Sequence, residues 1–105
     1  MNDLDLDLHF HAKTCFTDEE VAAMQKELLD VETELVGLRA NVARWQGWCD
    51  RCRNEPELDR TACAEAAEWL KLAEGDVAAS ERLRDLLIDT LRWQAEINRR
   101  RAPVN

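Results

Sequence analysis

Apolar side chains recur along residues 18–53 at alternating spacings of three and four, which is the heptad pattern of a coiled-coil helix. This predicted seam consists of Val21, Met24, Leu28, Val31, Leu35, Leu38, Val42, Trp45, Cys49 and Cys52. Thr17 and Glu20 have the spacing of a capping box, which begins a helix, and Pro56 disfavours helix in the residue before it. We therefore predict a first helix over residues 18–53 and a loop over residues 54–58.

A second apolar pattern predicts a helix over residues 59–101 that ends before Pro103. Its main stripe consists of Ala66, Trp69, Leu70, Ala73, Val77, Leu87, Ile88 and Leu91. Gly75 lies inside this stretch and costs about 1 kcal/mol relative to alanine. A continuous or kinked helix and a break that gives three helices therefore both stay open.

The short loop predicts that the two helices fold back on each other as an antiparallel hairpin within residues 17–105. The numbers of facing residues would add up to about 114 or 115, which places Trp45 opposite Trp69. In this register the acidic first half of the first helix lies beside Arg99, Arg100 and Arg101.

Both predicted helices carry more apolar positions than the seam of a two-helix hairpin needs. These further positions are Ala22, Leu29, Val36, Ala43, Leu72, Leu83, Leu86 and Ile97. Left in water, they would form an exposed apolar patch. We therefore predict an all-α, coiled-coil-like hairpin that forms a homodimer, a four-helix bundle, through these residues. Cover by the N-terminal segment or by a different protein is the alternative.

Residues 1–16 form a separate acidic segment, in which apolar and polar side chains alternate over residues 4–10 as in an extended strand. The apolar row of this segment is Leu4, Leu6, Leu8 and Phe10. A lone strand is not stable by itself, so it pairs with a second copy, docks on a partner or remains a loose tail. Because such alternating leucines resemble short peptides that dock in grooves or extend a sheet edge, we interpret the row as partner-binding.

The 105 residues include 22 acidic and 14 basic side chains, which give a net charge of −8. This length suits one domain, and the acidity argues against binding nucleic acid through a basic face. The chain has no run long enough to span a membrane and no secretory pattern at its N-terminus, so we expect a cytoplasmic protein. On the acidic part of the first helix, Glu27, Asp30 and Glu34 are predicted to bind a partner protein with a basic surface.

Cysteines occur at positions 15, 49, 52 and 63. Cys49 and Cys52 occupy seam positions, where a small buried hydrophobic side chain is the usual explanation. We therefore expect core thiols, with a disulfide from Cys63 to Cys52 or Cys49 as the second interpretation and zinc as the third. Because His9 and His11 belong to the other end of the molecule, we predict no metal site and no cofactor.

Four tryptophans are many for a chain of this length. Trp45 and Trp69 fall on the predicted core stripes. Trp48 and Trp93 fall outside them, and aromatic side chains dominate the energetics of many interfaces. We therefore predict that Trp48 and Trp93 bind a partner, with packing inside the dimer as the alternative.

An amphipathic hairpin offers no concave pocket that would tune a catalytic group. The sequence therefore favours a non-enzymatic protein that binds and modulates another protein, without direct contact to nucleic acid or membrane. An alternative is a small acidic inhibitor that imitates nucleic acid, as some phage-encoded proteins do when they block bacterial defence machinery. A thiol or zinc protein is the third hypothesis.

Overall fold

The computed structural model describes residues 16–101, which form two long helices joined by a short loop. Helix α1 spans Asp18–Asn54 and helix α2 spans Arg60–Arg101. They form an elongated hairpin with extents of 74 × 32 × 19 Å, and residues 16–101 contain no strand. The extended segment predicted over residues 4–10, with its partner-binding row, lies outside the described residues.

Helix α1 begins at the predicted capping box. The Thr17 hydroxyl accepts a hydrogen bond from the Glu20 amide at 3.1 Å, and the Glu20 carboxylate accepts one from the Thr17 amide at 3.0 Å. These two bonds satisfy amides that have no partner within the helix. Asp18, Glu19 and Glu20 also place negative charge at the positive end of the helix dipole.

Arg60 closes the loop at the hairpin tip. Its guanidinium donates to three backbone carbonyls, those of Cys52 at 3.1 Å, Glu55 at 3.0 Å and Leu58 at 2.9 Å. The Asp59 carboxylate accepts a hydrogen bond from the Thr61 amide at 2.9 Å, which caps the start of α2. The side chains of Asp59 and Arg60, where the loop meets α2, therefore satisfy the Thr61 amide and these three carbonyls.

The predicted seam of α1 is confirmed, because all ten of its positions are buried or half-buried. Val31 and Leu35 form the core with Leu87 of α2, and Met24, Leu28 and Val77 pack around it. The inward positions of α2 also alternate between spacings of three and four: Cys63, Ala66, Leu70, Ala73, Val77, Ser80, Arg84, Leu87, Leu91 and Gln94. Each has a facing seam position on α1, and the residue numbers of the two facing positions add up to 115, as for Leu28 and Leu87.

The predicted stripe of α2 needs three corrections. Ile88 is half-buried but lies beside the seam and not at one of its positions. Trp69 stacks on Trp45 with ring centroids 6.1 Å apart, as the predicted register requires, but it is 52% exposed and lies beside the core rather than in it. The seam instead includes Ser80, Arg84 and Gln94, which the apolar pattern misses because they are polar.

Helix α2 runs without a break through Gly75. A Cβ atom added there would meet nothing within 4 Å, so the glycine faces open space and needs no special backbone conformation. The three-helix alternative therefore does not describe this chain.

Candidate functional site

The seam separates two broad faces of the hairpin. On the first, Arg39 of α1 pairs with Glu81 of α2 at 3.5 Å, and a shallow cavity is lined by Arg39, Val42, Glu74 and Val77. We call this side the Arg39 face. On the other side, a shallow cavity is lined by Trp45, Trp48, Ala62, Glu65, Ala66 and Trp69. We call this side the tryptophan face.

Helix α2 carries a second heptad row along the tryptophan face. This outer row consists of Trp69, Leu72, Asp76, Ala79, Leu83, Leu86, Thr90, Trp93 and Ile97, again at alternating spacings of three and four. Leu72 is 59% exposed and Leu86 is 58% exposed, whereas Thr90 is buried and Ile97 is half-buried. The uncovered part of the row therefore extends from position 69 to position 86 and resumes at Trp93, which is 40% exposed.

The structure places the eight predicted dimer-interface residues on two different faces. Val36 and Ala43 lie three and four residues from Arg39, so they share its face, and Ala22 and Leu29 continue that row at seven-residue intervals. The remaining four, Leu72, Leu83, Leu86 and Ile97, belong to the outer row on the tryptophan face. One flat partner surface cannot cover both rows at once.

The other predicted binding residues come together on the tryptophan face. On α1 a single row of exposed or half-buried residues runs beside the seam: Glu27, Asp30, Glu34, Gly37, Asn41, Arg44, Trp48 and Arg51. It contains the three predicted acids and Trp48, while Trp93 lies in the outer row of α2. Sequence reasoning missed Gly37, Asn41 and Arg44, although their spacing continues the row of acids.

Charge changes sign along this α1 row. Its first half carries the acids, and its second half carries Arg44, stacked over the Trp45 ring at 5.2 Å, and Arg51, stacked over the Trp48 ring at 4.8 Å. Arg51 also pairs with Glu55 at 2.9 Å, and this hydrogen bond lowers the pKa of the Glu55 carboxyl. Among the described residues no ion pair involves the three acids or Arg44.

Arg99 and Arg100, near the end of α2, do not pair with the acids of α1. They bind Glu96 of their own helix at 2.7 and 2.9 Å, and their hydrogen bonds lower the pKa of Glu96. Within residues 16–100, Arg39–Glu81 is the one ion pair that joins the two helices. The other ion pairs of residues 16–100 join residues that are close in sequence.

Cys52 and Cys63 form a disulfide, with their Cα atoms 5.8 Å apart. The prediction of core thiols is therefore wrong for these two residues, while Cys49 is a half-buried free thiol. The cause is the register, since Cys52 and Cys63 face each other across the seam next to the loop. Within residues 16–101 no three His, Cys, Asp or Glu side chains converge as a metal site would require, and His9, His11 and Cys15 lie outside that range.

Neither α1 nor α2 contains a stretch long and apolar enough to cross a membrane. No protein-family model, curated protein or solved structure matches this chain.

Proposed function

We propose that this protein is a non-enzymatic interaction module whose tryptophan face binds another protein chain. The observation that carries the proposal is the exposure of Leu72 and Leu86 in the outer row of α2. The outer row carries large apolar side chains at positions 69, 72, 83 and 86, on either side of Asp76 and Ala79. Exposed apolar side chains grouped on one face are costly in water and typical of interaction sites. A helix laid along the row would bury them as the seam of a coiled coil does.

The charges beside the outer row restrict the kind of partner. Glu27, Asp30 and Glu34 of α1 are exposed on the same face and have no ion pair among the described residues. A partner with basic side chains at the edge of its apolar surface would complement them. The proposal therefore describes an amphipathic helical partner with a basic flank, and it includes the homodimer predicted from the sequence.

Photo-crosslinking in the cells from which the chain originates tests this proposal. A photoreactive phenylalanine analogue at position 72 would report on the tryptophan face, and the same analogue at position 29 would serve as a matched control on the Arg39 face. We expect a crosslinked protein adduct at position 72 and none at position 29. Adducts at position 29 alone, or at neither position, would contradict the proposal.

A second candidate function is that of an acidic inhibitor that occupies a nucleic-acid-binding surface. One observation favours it: Arg99 and Arg100 pair with Glu96 and so leave the acids of α1 available to a basic target. Competition with DNA for such a target should then weaken steeply with salt. Reversal of Glu27, Asp30 and Glu34 to lysine should abolish the competition, and a variant that still competes would rule out this function.

A further inference from the structure

We infer that the chain covering the tryptophan face is a second copy of this protein, packed antiparallel about a two-fold axis that crosses the hairpin near its middle. This inference rests on the proposed function, because it names the partner of the same surface. The arginines of the second copy then supply the basic flank that is required of the partner.

The charge pattern of the α1 row is self-complementary. A two-fold axis between positions 35 and 36 of α1 brings together residues of the two copies whose numbers add up to 71. Glu27 then lies level with Arg44 of the second copy, and Asp30 lies level with Asn41. Arg44 donates a hydrogen bond to Asn41 of its own helix at 3.0 Å. Neither Glu27 nor Arg44 has an ion pair within the described hairpin, and the symmetry forms a Glu27–Arg44 pair twice.

The same axis crosses the uncovered part of α2 close to its centre. Because facing seam positions add up to 115, positions 35 and 36 of α1 are level with positions 79 and 80 of α2. Ala79 is the outer-row residue nearest to the axis, and Glu34 and Gly37 are the nearest residues of the α1 row, so Glu34 of each copy lies level with Gly37 of the other. A Cβ at Gly37 would meet nothing within 4 Å in the hairpin. Gly37 and Ala79 leave room at the centre, and Leu72 comes within one residue of being level with Leu86 of the second copy on either side.

Other arrangements of two copies are less favourable on the same face. An axis parallel to the helices would set α1 of one copy against α2 of the other, so that Glu27 and Asp30 would press on Leu83 and Leu86. Buried carboxylates without partners cost several kcal/mol each. Parallel packing of the two α1 helices would instead place Glu27 beside Glu27, and like charges repel. Of these arrangements, only the antiparallel one pairs Glu27 with an opposite charge and also joins the two outer rows. It sets one carboxylate of the outer row, that of Asp76, level with Leu83 of the second copy.

An unrelated basic partner satisfies the face less completely than a second copy does. Such a partner would complement the acids but would meet Arg44 and Arg51 with charge of the same sign. An interface between two copies related by a two-fold axis uses one patch twice and must be complementary to itself. The sign change along the α1 row meets this requirement.

A charge-reversal cycle on the full chain tests the inference by sedimentation equilibrium at low salt. Each of Glu27→Arg and Arg44→Glu places two like-charge pairs in the interface, so we expect each to raise the dimer Kd by about tenfold or more. The double variant restores both pairs, and its Kd should return to within a few-fold of the unmodified value. Glu32→Arg is the matched control, because it changes the net charge as Glu27→Arg does but lies beside Val36 on the Arg39 face.

A second pair of variants tests the apolar part of the interface. Leu72→Glu should give a folded monomer, and Leu29→Glu should remain a dimer. Three outcomes would overturn the inference: a monomeric unmodified chain at high micromolar concentration, a double charge variant that is not rescued, or dissociation by Leu29→Glu alone. If the chain is monomeric but position 72 crosslinks to a different protein, the proposed function stands and this inference alone fails.

Discussion

The inner and outer heptad rows of α2 differ in side-chain size in the opposite sense to their burial: the more exposed outer row carries the larger side chains. The inner row, which packs against α1, contains four large apolar residues together with alanines and polar side chains: Ala66, Leu70, Ala73, Val77, Ser80, Arg84, Leu87, Leu91 and Gln94. The outer row contains two tryptophans, three leucines and an isoleucine, yet much of it is uncovered. The bulkier row of α2 is thus the one that packs less against α1, and the proposed partner would cover its exposed part.

One polar residue of the inner row, Gln94, makes a contact that depends on the register. Gln94 is 2% exposed and accepts a hydrogen bond from the Phe16 amide at 2.9 Å, while its own amide donates to Asn98 of the same helix at 2.8 Å. Arg84 is half-buried, and its ion pair with Asp85 at 3.1 Å lies within α2. A buried polar side chain is satisfied in one alignment and loses its partner in others, which is how such residues specify register in coiled coils. The inner row therefore defines the hairpin, and the outer row supplies apolar area.

The largest expected difference between the rows comes from adjacent residues, Leu87 in the inner row and Leu86 in the outer row. Leu87 is 7% exposed, and Leu87→Ala should lower the free energy of unfolding by about 2–4 kcal/mol through lost burial and the cavity left behind. Leu86→Ala should change it by less than about 0.5 kcal/mol at low micromolar concentration, where the outer row is uncovered. Urea unfolding followed by circular dichroism measures both. Equal losses would mean that the two rows are equally buried in the single chain.

The disulfide should contribute the next largest effect. A cross-link between residues 11 apart restricts the unfolded chain, so Cys52→Ser with Cys63→Ser should cost about 2–3 kcal/mol. Cys49→Ser is the matched control and should cost less, since Cys49 is half-buried and unpaired. Thermal melts with and without reductant provide the measurement. A reductant that lowers the Tm of the double-serine variant as much as that of the unmodified chain would show that the bond does not stabilise the hairpin.

Sequence patterns predict this fold where apolar residues alone define the contact. The capping box and Pro56 predict helix ends within one residue of those observed, and the α1 seam is apolar throughout. In α2 three seam positions, Ser80, Arg84 and Gln94, are polar. A stripe defined by apolar side chains alone omits them and includes Trp69, which belongs to the outer row. Polar seam residues become recognisable only once α1 supplies a register.

The arrangement of the site depends on information that the periodicity of a single helix does not contain. Leu29 and Leu72 both lie outside the seam, but which broad face each occupies depends on how the two helices flank each other. The Arg39–Glu81 pair and the tryptophan cavity define those faces. The sequence pattern also cannot distinguish a buried thiol from a disulfide at Cys52, because both place the side chain at a seam position.

A smaller effect should follow from loss of the Gln94 side chain. Gln94→Ala removes the acceptor of the Phe16 amide and leaves that half-buried donor without this partner, which should cost about 1–2 kcal/mol. The loss of stability should be greatest at the open end of the hairpin, where α1 begins. Hydrogen exchange should accelerate near residues 16–24 and change little near the disulfide. Uniform acceleration along both helices would contradict a local role.

The smallest expected effect compares two glycines of α1 that face different surroundings once the outer row is covered. A Cβ at Gly37 or Gly47 meets nothing within 4 Å in the hairpin, so alanine at either position should stabilise the single chain by about 0.8–1 kcal/mol through helix propensity. Gly37 lies in the row of the tryptophan face, whereas Gly47 lies on the outer surface of α1. In the antiparallel dimer an added methyl group at Gly37 falls close to the two-fold axis and must fit between two helices. In chemical unfolding at increasing protein concentration, the gain in the free energy of unfolding should therefore persist for Gly47→Ala and shrink for Gly37→Ala. Equal gains at every concentration would show that no second copy approaches Gly37.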